Sequence, residues 1–347
     1  MGAGVKISVP FLGSSKELLE AALSRGRKAA GGVGKVRDPL KRVKTVEMAR
    51  VNAFHDYLKA RLKSVSAGVP TLEELHAFYR ELLEQTIEVK AFKQALGHVE
   101  KSTKLLESFK RACKKGIYSV KTEKDAERIK KSVRMYLGRT ASVLRSLDSS
   151  IERLESTRKK LAELPVIDLD APTIILAGYP NTGKTTLLKR LTGSRAAIAS
   201  YPFTTTSIQV SSFEWKHAPV QVIDTPGLLD REMEKRNAIE RKAVAALTHL
   251  NGLIVFIVDP TPYSGYELEK QMRLLSQVAR TFSSQVIVLI NKADLAREGD
   301  VKRAQAALKG RKVFVEGANS PSTLKEWVGN WAAQEYRKSL APTSPFK

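Results

Sequence analysis

The chain has 347 residues, 42% of them hydrophobic, which is long and apolar enough for two domains with their own cores. Fifty-nine Lys and Arg against 36 Asp and Glu leave a net charge of +23, which points to a polyanionic partner, nucleic acid ahead of an acidic membrane. A single cysteine, Cys113, excludes an intramolecular disulfide, and no apolar run approaches the ~18 residues of a spanning helix, so the expectation is a soluble, cytoplasmic protein without a membrane anchor. Helical periodicity then predicts, in chain order, a helix from about Ser14 to Lys28, a break at Gly31, Gly32 and Gly34, and a helix from Pro39 to Val65. Thr71 and Glu74 read as a capping box for a helix carrying Leu72, Leu75, Phe78, Tyr79 and Leu82 on one face. A helix from Lys90 to Lys115 is expected to stop at Gly116, and a last one to run unbroken from Thr122 to Leu164, ended by Pro165.

From Thr173 the pattern changes. Short β-branched runs at Ile174–Ala177, Ser207–Phe213, Val220–Ile223, Leu253–Val258, Val286–Ile290 and Val313–Val315 alternate with amphipathic segments. The expected fold is an all-α helical bundle followed by an α/β P-loop domain with a mostly parallel sheet. The boundaries read as 1–37 for an N-terminal helix and basic arm, 38–168 for the bundle, 169–340 for the α/β domain and 341–347 for a tail. Trp327 and Trp331, on the last helix, are expected to face the core.

The segment Gly178-Tyr179-Pro180-Asn181-Thr182-Gly183-Lys184-Thr185, with Thr186 behind it, follows a strand and opens a helix, the context a phosphate-binding loop requires. Glycines let backbone N–H groups turn toward phosphates, Lys184 neutralises them, and the Thr185 hydroxyl is placed for Mg²⁺. Asp224-Thr225-Pro226-Gly227 ends another strand: Asp224 suits the Mg²⁺ shell and the Gly227 N–H a γ-phosphate. Between them lies Tyr201-Pro202-Phe203-Thr204-Thr205-Thr206, where Thr205, or Thr204 after it, would close over Mg²⁺. Asn291-Lys292-Ala293-Asp294 reads the base: a carboxylate at Asp294 accepts from guanine N1–H and the 2-amino group, neither of which adenine offers, while Asn291 braces the loop and the Lys292 stem covers the base. Gly317-Ala318 lies where a base-backing loop belongs. Four motifs in order at strand ends predict a protein that binds GTP/GDP with Mg²⁺ and hydrolyses GTP. Lys184, Asn181, Thr205 and Gly227 are its candidate catalytic residues. Leu228 stands where a water-orienting glutamine is common, so slow intrinsic hydrolysis is expected.

Tyr179-Pro180-Asn181, Tyr201-Pro202-Phe203-Thr204-Thr205 and Asp224-Thr225-Pro226-Gly227 resemble the Obg-related GTPases. Two stretches narrow this: Arg236-Asn237-Ala238-Ile239-Glu240 leading into Ala246-Leu247-Thr248-His249-Leu250, and Asp259-Pro260 leading to Gly265-Tyr266. Both resemble the nucleolar GTP-binding protein 1 (Nog) branch, and Phe54-His55-Asp56, His76-Ala77-Phe78-Tyr79 and Ala95-Leu96-Gly97-His98 are similar to its helical domain. The resemblance, from about Asp38 to Trp331, implies a GTPase in assembly of the large ribosomal subunit. Its partners would be ribosomal RNA and large-subunit precursor particles, and it would be a monomer off the ribosome. Ending at Lys347, the chain is similar to the compact archaeal-type form. In the resembling families an asparagine at the place of Asn181 helps hold K⁺, which implies hydrolysis faster in K⁺ than in Na⁺; the other reading of Asn181 is a loop-shaping residue.

Residues 101–145 hold fourteen basic and four acidic side chains, and Arg111, Lys114, Lys115 and Lys121 gather near Tyr118 at the turn between two long helices. Such a tip suits a groove of folded RNA, with Tyr118 stacking on a base. The run from Arg25 to Lys44 is expected to be a basic arm. The histidines have no metal-ligand spacing, and His55, His76 and His98 are expected to be hydrogen-bonding residues of the bundle. Two readings stay open: a switch whose GTP state controls docking on a ribosome precursor, or an RNA-binding placeholder or translation-related factor that uses GTP as a slow structural ligand.

Overall fold

The computed structural model describes residues 9–68, 74–164, 166–193, 197–200, 207–232, 236, 238–250, 252–317 and 323–340. These fall into two compact units, one drawn from Ile7–Glu74 and Ile87–Ala162, the other from Leu75–Thr86 and Glu163–Lys347.

The first unit is helical: α1 (Ser15–Gly31) and α2 (Pro39–Ala67) precede the segment that leaves it, and α4 (Val89–Ser119), α5 (Ala126–Ser146) and α6 (Asp148–Ala162) follow. The starts of α1 and α2 have local causes. Ser14 Oγ accepts the Glu17 N–H and Glu17 Oε2 accepts the Ser14 N–H, a reciprocal cap on α1. Asp38 Oδ1 accepts the Lys41 N–H, with Pro39 at the first position of α2. The basic run Arg25–Lys44 is carried mostly on these two helices, with only Gly32–Asp38 between them. Leu18, Ala22, Val51, Phe54, Leu58, Leu106, Ile117, Ile129, Val133 and Leu144 form the bundle core. Helix α4 does not stop at Gly116 but runs on to Ser119. A Cβ at Gly116 would lie 2.6 Å from Ser132 Oγ of α5, so this glycine permits close helix packing rather than a cap. The expected single helix from Thr122 to Leu164 is broken: a 3₁₀ turn, Glu123–Asp125, opens it, and the Leu147 N–H bonds back to Leu144 at 3.0 Å, tightening the chain before α6 restarts. His55 Nδ1 lies 3.1 Å from Tyr136 Oη and His98 Nδ1 2.9 Å from Ser150 Oγ, the hydrogen-bonding roles expected of them. Burial pushes the Cys113 thiol up to about 11, which makes it an unreactive core residue.

The second unit contains α3 (Ala77–Thr86), which starts later than the expected Leu72; Thr71 lies outside the described residues. His76 Nδ1 accepts the Phe78 N–H at 3.2 Å and so serves the helix N-terminus. The rest is a seven-stranded sheet: β1 (Thr173–Ala177), β2 (Ala197–Ser200), β3 (Ser207–Trp215), β4 (Ala218–Asp224), β5 (Gly252–Val258), β6 (Val286–Ile290) and β7 (Val313–Val315). Strand order is β2-β3-β4-β1-β5-β6-β7; β2–β3 and β3–β4 are antiparallel, and every other pair is parallel. The interleaved helices are α7 (Lys184–Thr192), α8 (Ala238–Thr248), α9 (Leu268–Thr281), α10 (Glu298–Ala307) and α11 (Thr323–Leu340). Ile174, Leu176, Val222, Val255 and Ile257 form one core with Leu187, Leu188 and Leu191 of α7 and Leu324, Val328 and Ala332 of α11, with Trp327 and Trp331 half-buried against it. Ile175, Ile223, Ile254 and Phe256, at the alternate positions, are equally buried, as a sheet covered on both faces requires. Fully burying each such side chain contributes about 1.5–3 kcal/mol.

Gly329, inside α11, makes one packing test sharp. A Cβ there would lie 2.6 Å from Trp215 Cγ, and the indole is held by its Nε1 donating to Asn330 Oδ1 at 3.1 Å. Helix propensity alone favours Gly329→Ala by roughly 1 kcal/mol. The rigid ring reverses the sign: the variant is expected to lose about 1–3 kcal/mol, read as a lower urea midpoint at unchanged slope.

Candidate nucleotide site

The site forms where β1, β4, β5 and β6 end, the carboxyl edge of the parallel strands. Strand β1 delivers the chain into the loop 178–183, and α7 begins at Lys184. The loop is tight because Gly178 and Gly183 hold φ of +138° and +101°, and Asn181 sits at +62°. A Cβ at Gly183 would collide with Asn291 Nδ2, so only glycine lets the base-reading loop close on the phosphate loop.

Lys184 is buried, and its Nζ donates to Gly178 O and Tyr179 O, both at 2.8 Å. Burial lowers its pKa, while the nearby Asp224 carboxylate pulls the other way. Thr185 Oγ1 donates to Asp224 Oδ2 at 2.6 Å. Burial raises the Asp224 pKa, against that hydrogen bond and the Lys184 charge. Asp224 is fully buried, and its Oδ1 has no hydrogen-bond partner. A half-buried hydroxyl and a buried carboxylate oxygen left unsatisfied beside it fit a divalent cation held by Thr185 and Asp224. Thr186 is exposed on the outer side of α7, while Thr182 and Thr225 are buried and donate to Tyr179 O and Leu176 O at 2.9 and 3.2 Å. Pro180 and Pro226 are half-buried turn residues of the two loops.

The base-reading loop is tied to the phosphate loop at two points. Asn291 Nδ2 donates to Thr182 O at 2.9 Å, and Lys292 Nζ to Asn181 O at 2.7 Å. Asp294 is exposed, its carboxylate backed by Gly317, where a Cβ would lie 2.7 Å from Asp294 Oδ1. A side chain at position 317 would press on Asp294, so glycine is required there by space. Glu316 anchors the same turn: its buried carboxylate accepts the Leu324 N–H at 2.9 Å.

Phosphate-loop, strand-end and base-reading residues are thus brought together. Gly227 faces differently: its N–H donates to Asp230 Oδ2 at 2.7 Å. Thr204, Thr205 and Ala318 lie outside the described residues. Two contributors escaped the motif reading. Asp259, fully buried at the end of β5, pairs with Lys292 Nζ at 2.6 Å and accepts from the Thr261 hydroxyl and N–H. Tyr266 stacks on Tyr179 of the phosphate loop, centroids 4.2 Å apart. The Asp259-Pro260 and Gly265-Tyr266 stretches were visible as a family resemblance, with no chemical role attached.

A family model described as the NOG1 N-terminal helical domain matches residues 6–168, and one described as a 50S ribosome-binding GTPase matches residues 173–292. An uncharacterised protein of Methanocaldococcus jannaschii is 35% identical over 295 residues, 85% of this chain and 82% of that one. The nucleolar GTP-binding protein 1 of Encephalitozoon cuniculi is 31% identical over 299 residues, 85% of this chain but 56% of that protein, so the chain spans about half the length of such curated relatives. Among solved structures, the nucleolar GTP-binding protein 1 of Plasmodium falciparum matches at 29% identity and a TM-score of 0.42, over 51% of this chain and 92% of that chain. With a helical-domain match followed by a GTPase-domain match, and a relative 35% identical over most of its own length, the chain belongs to the nucleolar GTP-binding protein 1 family of GTPases.

Proposed function

We propose that the protein docks on ribosomal RNA of a large-subunit precursor in a GTP-dependent manner and leaves when GTP is hydrolysed. Lys184 and the loop amides would hold the phosphates, Thr185 and Asp224 would hold Mg²⁺ with a threonine of 201–206, and Asn291, Lys292 and Asp294 would select guanine, backed by Gly317 and Ala318. The bound Mg²⁺ would neutralise charge on the β- and γ-phosphates.

The observation that carries the RNA half is the uncompensated charge at the end of α4. Arg111, Lys114, Lys115 and Lys121 are exposed and make no ion pair among the described residues, whereas Lys104, Arg128, Lys130 and Arg134 on the same pair of helices are each offset by a carboxylate. Tyr118 beside them is 51% exposed. An unpaired cationic tip with an outward aromatic ring suits phosphates flanking an unstacked base. No helix among the described residues is long and apolar enough to cross a membrane. Ultraviolet crosslinking in cells, with sequencing of the bound RNA, tests the reading. Reads concentrated on large-subunit ribosomal RNA support it; reads scattered over many RNAs or on tRNA remove the ribosomal role and leave the GTPase.

Leu228 favours the second reading, a placeholder with slow turnover, because its side chain is fully buried and carries no group to orient water. Lys184→Ala separates the two. Docking or release impaired supports the switch; unchanged maturation supports the placeholder. Charge missing from the hydrolytic step would come from K⁺ held by Asn181. Turnover is expected about tenfold or more faster in K⁺ than in Na⁺, the scale of one added donor at a developing charge. Equal kcat in the two salts removes K⁺ from the site.

A further inference from the structure

Asp230 occupies a position that neither the motifs nor the family match explains. Its Oδ2 accepts the Gly227 N–H at 2.7 Å, the one backbone donor expected to meet a γ-phosphate. The carboxylate is held there by its turn rather than hanging from a loose loop. The Leu228 and Leu229 N–H groups both point to Thr225 O, at 3.1 and 3.4 Å, and Leu229 O accepts the Gly178 N–H of the phosphate loop at 3.0 Å. Both leucines are fully buried. The Asp230 charge also reaches inward: it opposes the burial that lowers the Lys184 pKa and adds to the burial that raises that of Asp224. One negative side chain therefore sits on the Gly227 amide and within the field of the phosphate-binding lysine.

A γ-phosphate and this carboxylate compete for the same donor, and at hydrogen-bonding separation two anions repel. The β-phosphate, cradled by the loop 178–183, makes no such demand. We propose that Asp230 is an internal anion that holds the γ-phosphate's donor and so sets the preference of the protein for GDP over GTP. The inference rests on the reading of Gly227 as the γ-phosphate contact. Entry of GTP then displaces Asp230 and turns the 227–230 segment, which leads toward α8.

The test measures dissociation constants of the full chain for GDP and for the non-hydrolysable analogue GMPPNP, both with Mg²⁺. Asp230→Ala removes charge and acceptor, Asp230→Asn removes charge while keeping shape, and Asp230→Glu keeps the charge. GMPPNP is expected to bind about tenfold more tightly to Asp230→Ala, the scale of one charge-assisted hydrogen bond, with GDP within about twofold of the parent. Asp230→Asn should move the same way by less, and Asp230→Glu should stay near the parent ratio. An unmoved GDP-to-GMPPNP ratio, or the two ligands shifting together, overturns the inference while leaving the GTPase reading in place. A parent chain that binds neither nucleotide overturns that reading and the inference with it. The thermal midpoint of Asp230→Asn, measured alongside, separates a binding effect from a folding one.

Discussion

Replacing Asp294 with asparagine is expected to cut GTP and GDP affinity by roughly 10⁴-fold, because a site built to accept two polar hydrogens then presents an amide donor to the guanine 2-amino group. The same change should bring in xanthine nucleotides. Xanthine carries a carbonyl at C2 where guanine has its amino group, so the Asn NH₂ gains an acceptor and the Asn carbonyl still receives N1–H. The surroundings permit this exchange. Asp294 is exposed at the mouth of the site, and Gly317 leaves it space that an amide of the same shape fills equally well. Lys292 and Asn291 are tied to the phosphate loop by their own hydrogen bonds, so the loop keeps its place when one charge is removed. Competition of GDP and XDP against a fluorescent nucleotide reads both halves. GDP affinity left intact would mean that the base is read elsewhere, and a loss for GDP without a gain for XDP would mean that the loop had collapsed.

The parts of this site that are legible in the sequence are those whose chemistry needs a fixed spacing. A phosphate loop must bring Gly178, Gly183 and Lys184 together within seven residues, and the strand before it and helix after it are equally obligatory. Asp230 and Asp259 carry no such spacing. Each is a residue type common in turns, and its role appears only when the third dimension sets it against Gly227 or Lys292. The edge strand β2 was missed for the opposite reason: four residues, Ala197–Ser200, are too few to establish alternation, and its identity comes from antiparallel pairing with β3.

Helix α3 shows the same limit at the level of domains. Of its expected apolar face, Leu75, Phe78, Tyr79 and Leu82 are buried, while Leu72 lies outside the described residues. Periodicity says that a helix has a core to face; it does not say which core. Here α3 belongs to the compact unit of the nucleotide site and packs on α8. The Tyr79 hydroxyl donates to Ile167 O at 3.0 Å and accepts the Ile167 N–H at 2.9 Å. A stretch that the chain order places inside the helical domain is thereby fastened beside the helix that follows the Asp224–Gly227 loop.

Replacing Arg111, Lys114, Lys115 and Lys121 together by alanine is expected to weaken binding to large-subunit ribosomal RNA by about 10²–10³-fold at physiological salt, and to flatten the dependence of log affinity on log salt by about three units. The two readouts test one cause: four phosphates no longer neutralised release fewer counterions. Charge count alone does not predict this size of effect, because net charge falls equally when Lys104, Arg128, Lys130 and Arg134 are replaced. Those four already face Glu100, Asp125 and Glu127, so their removal takes away less field and should cost little. Tyr118→Ala supplies the complementary signature. Stacking is uncharged, so affinity should fall about tenfold while the salt slope stays where it was. If both quadruple variants weaken binding alike, the protein meets RNA through diffuse charge, and the tip has no special place. If the tip variant alone loses both affinity and slope, and Tyr118→Ala loses affinity without slope, the end of α4 is where phosphates and a base are met together.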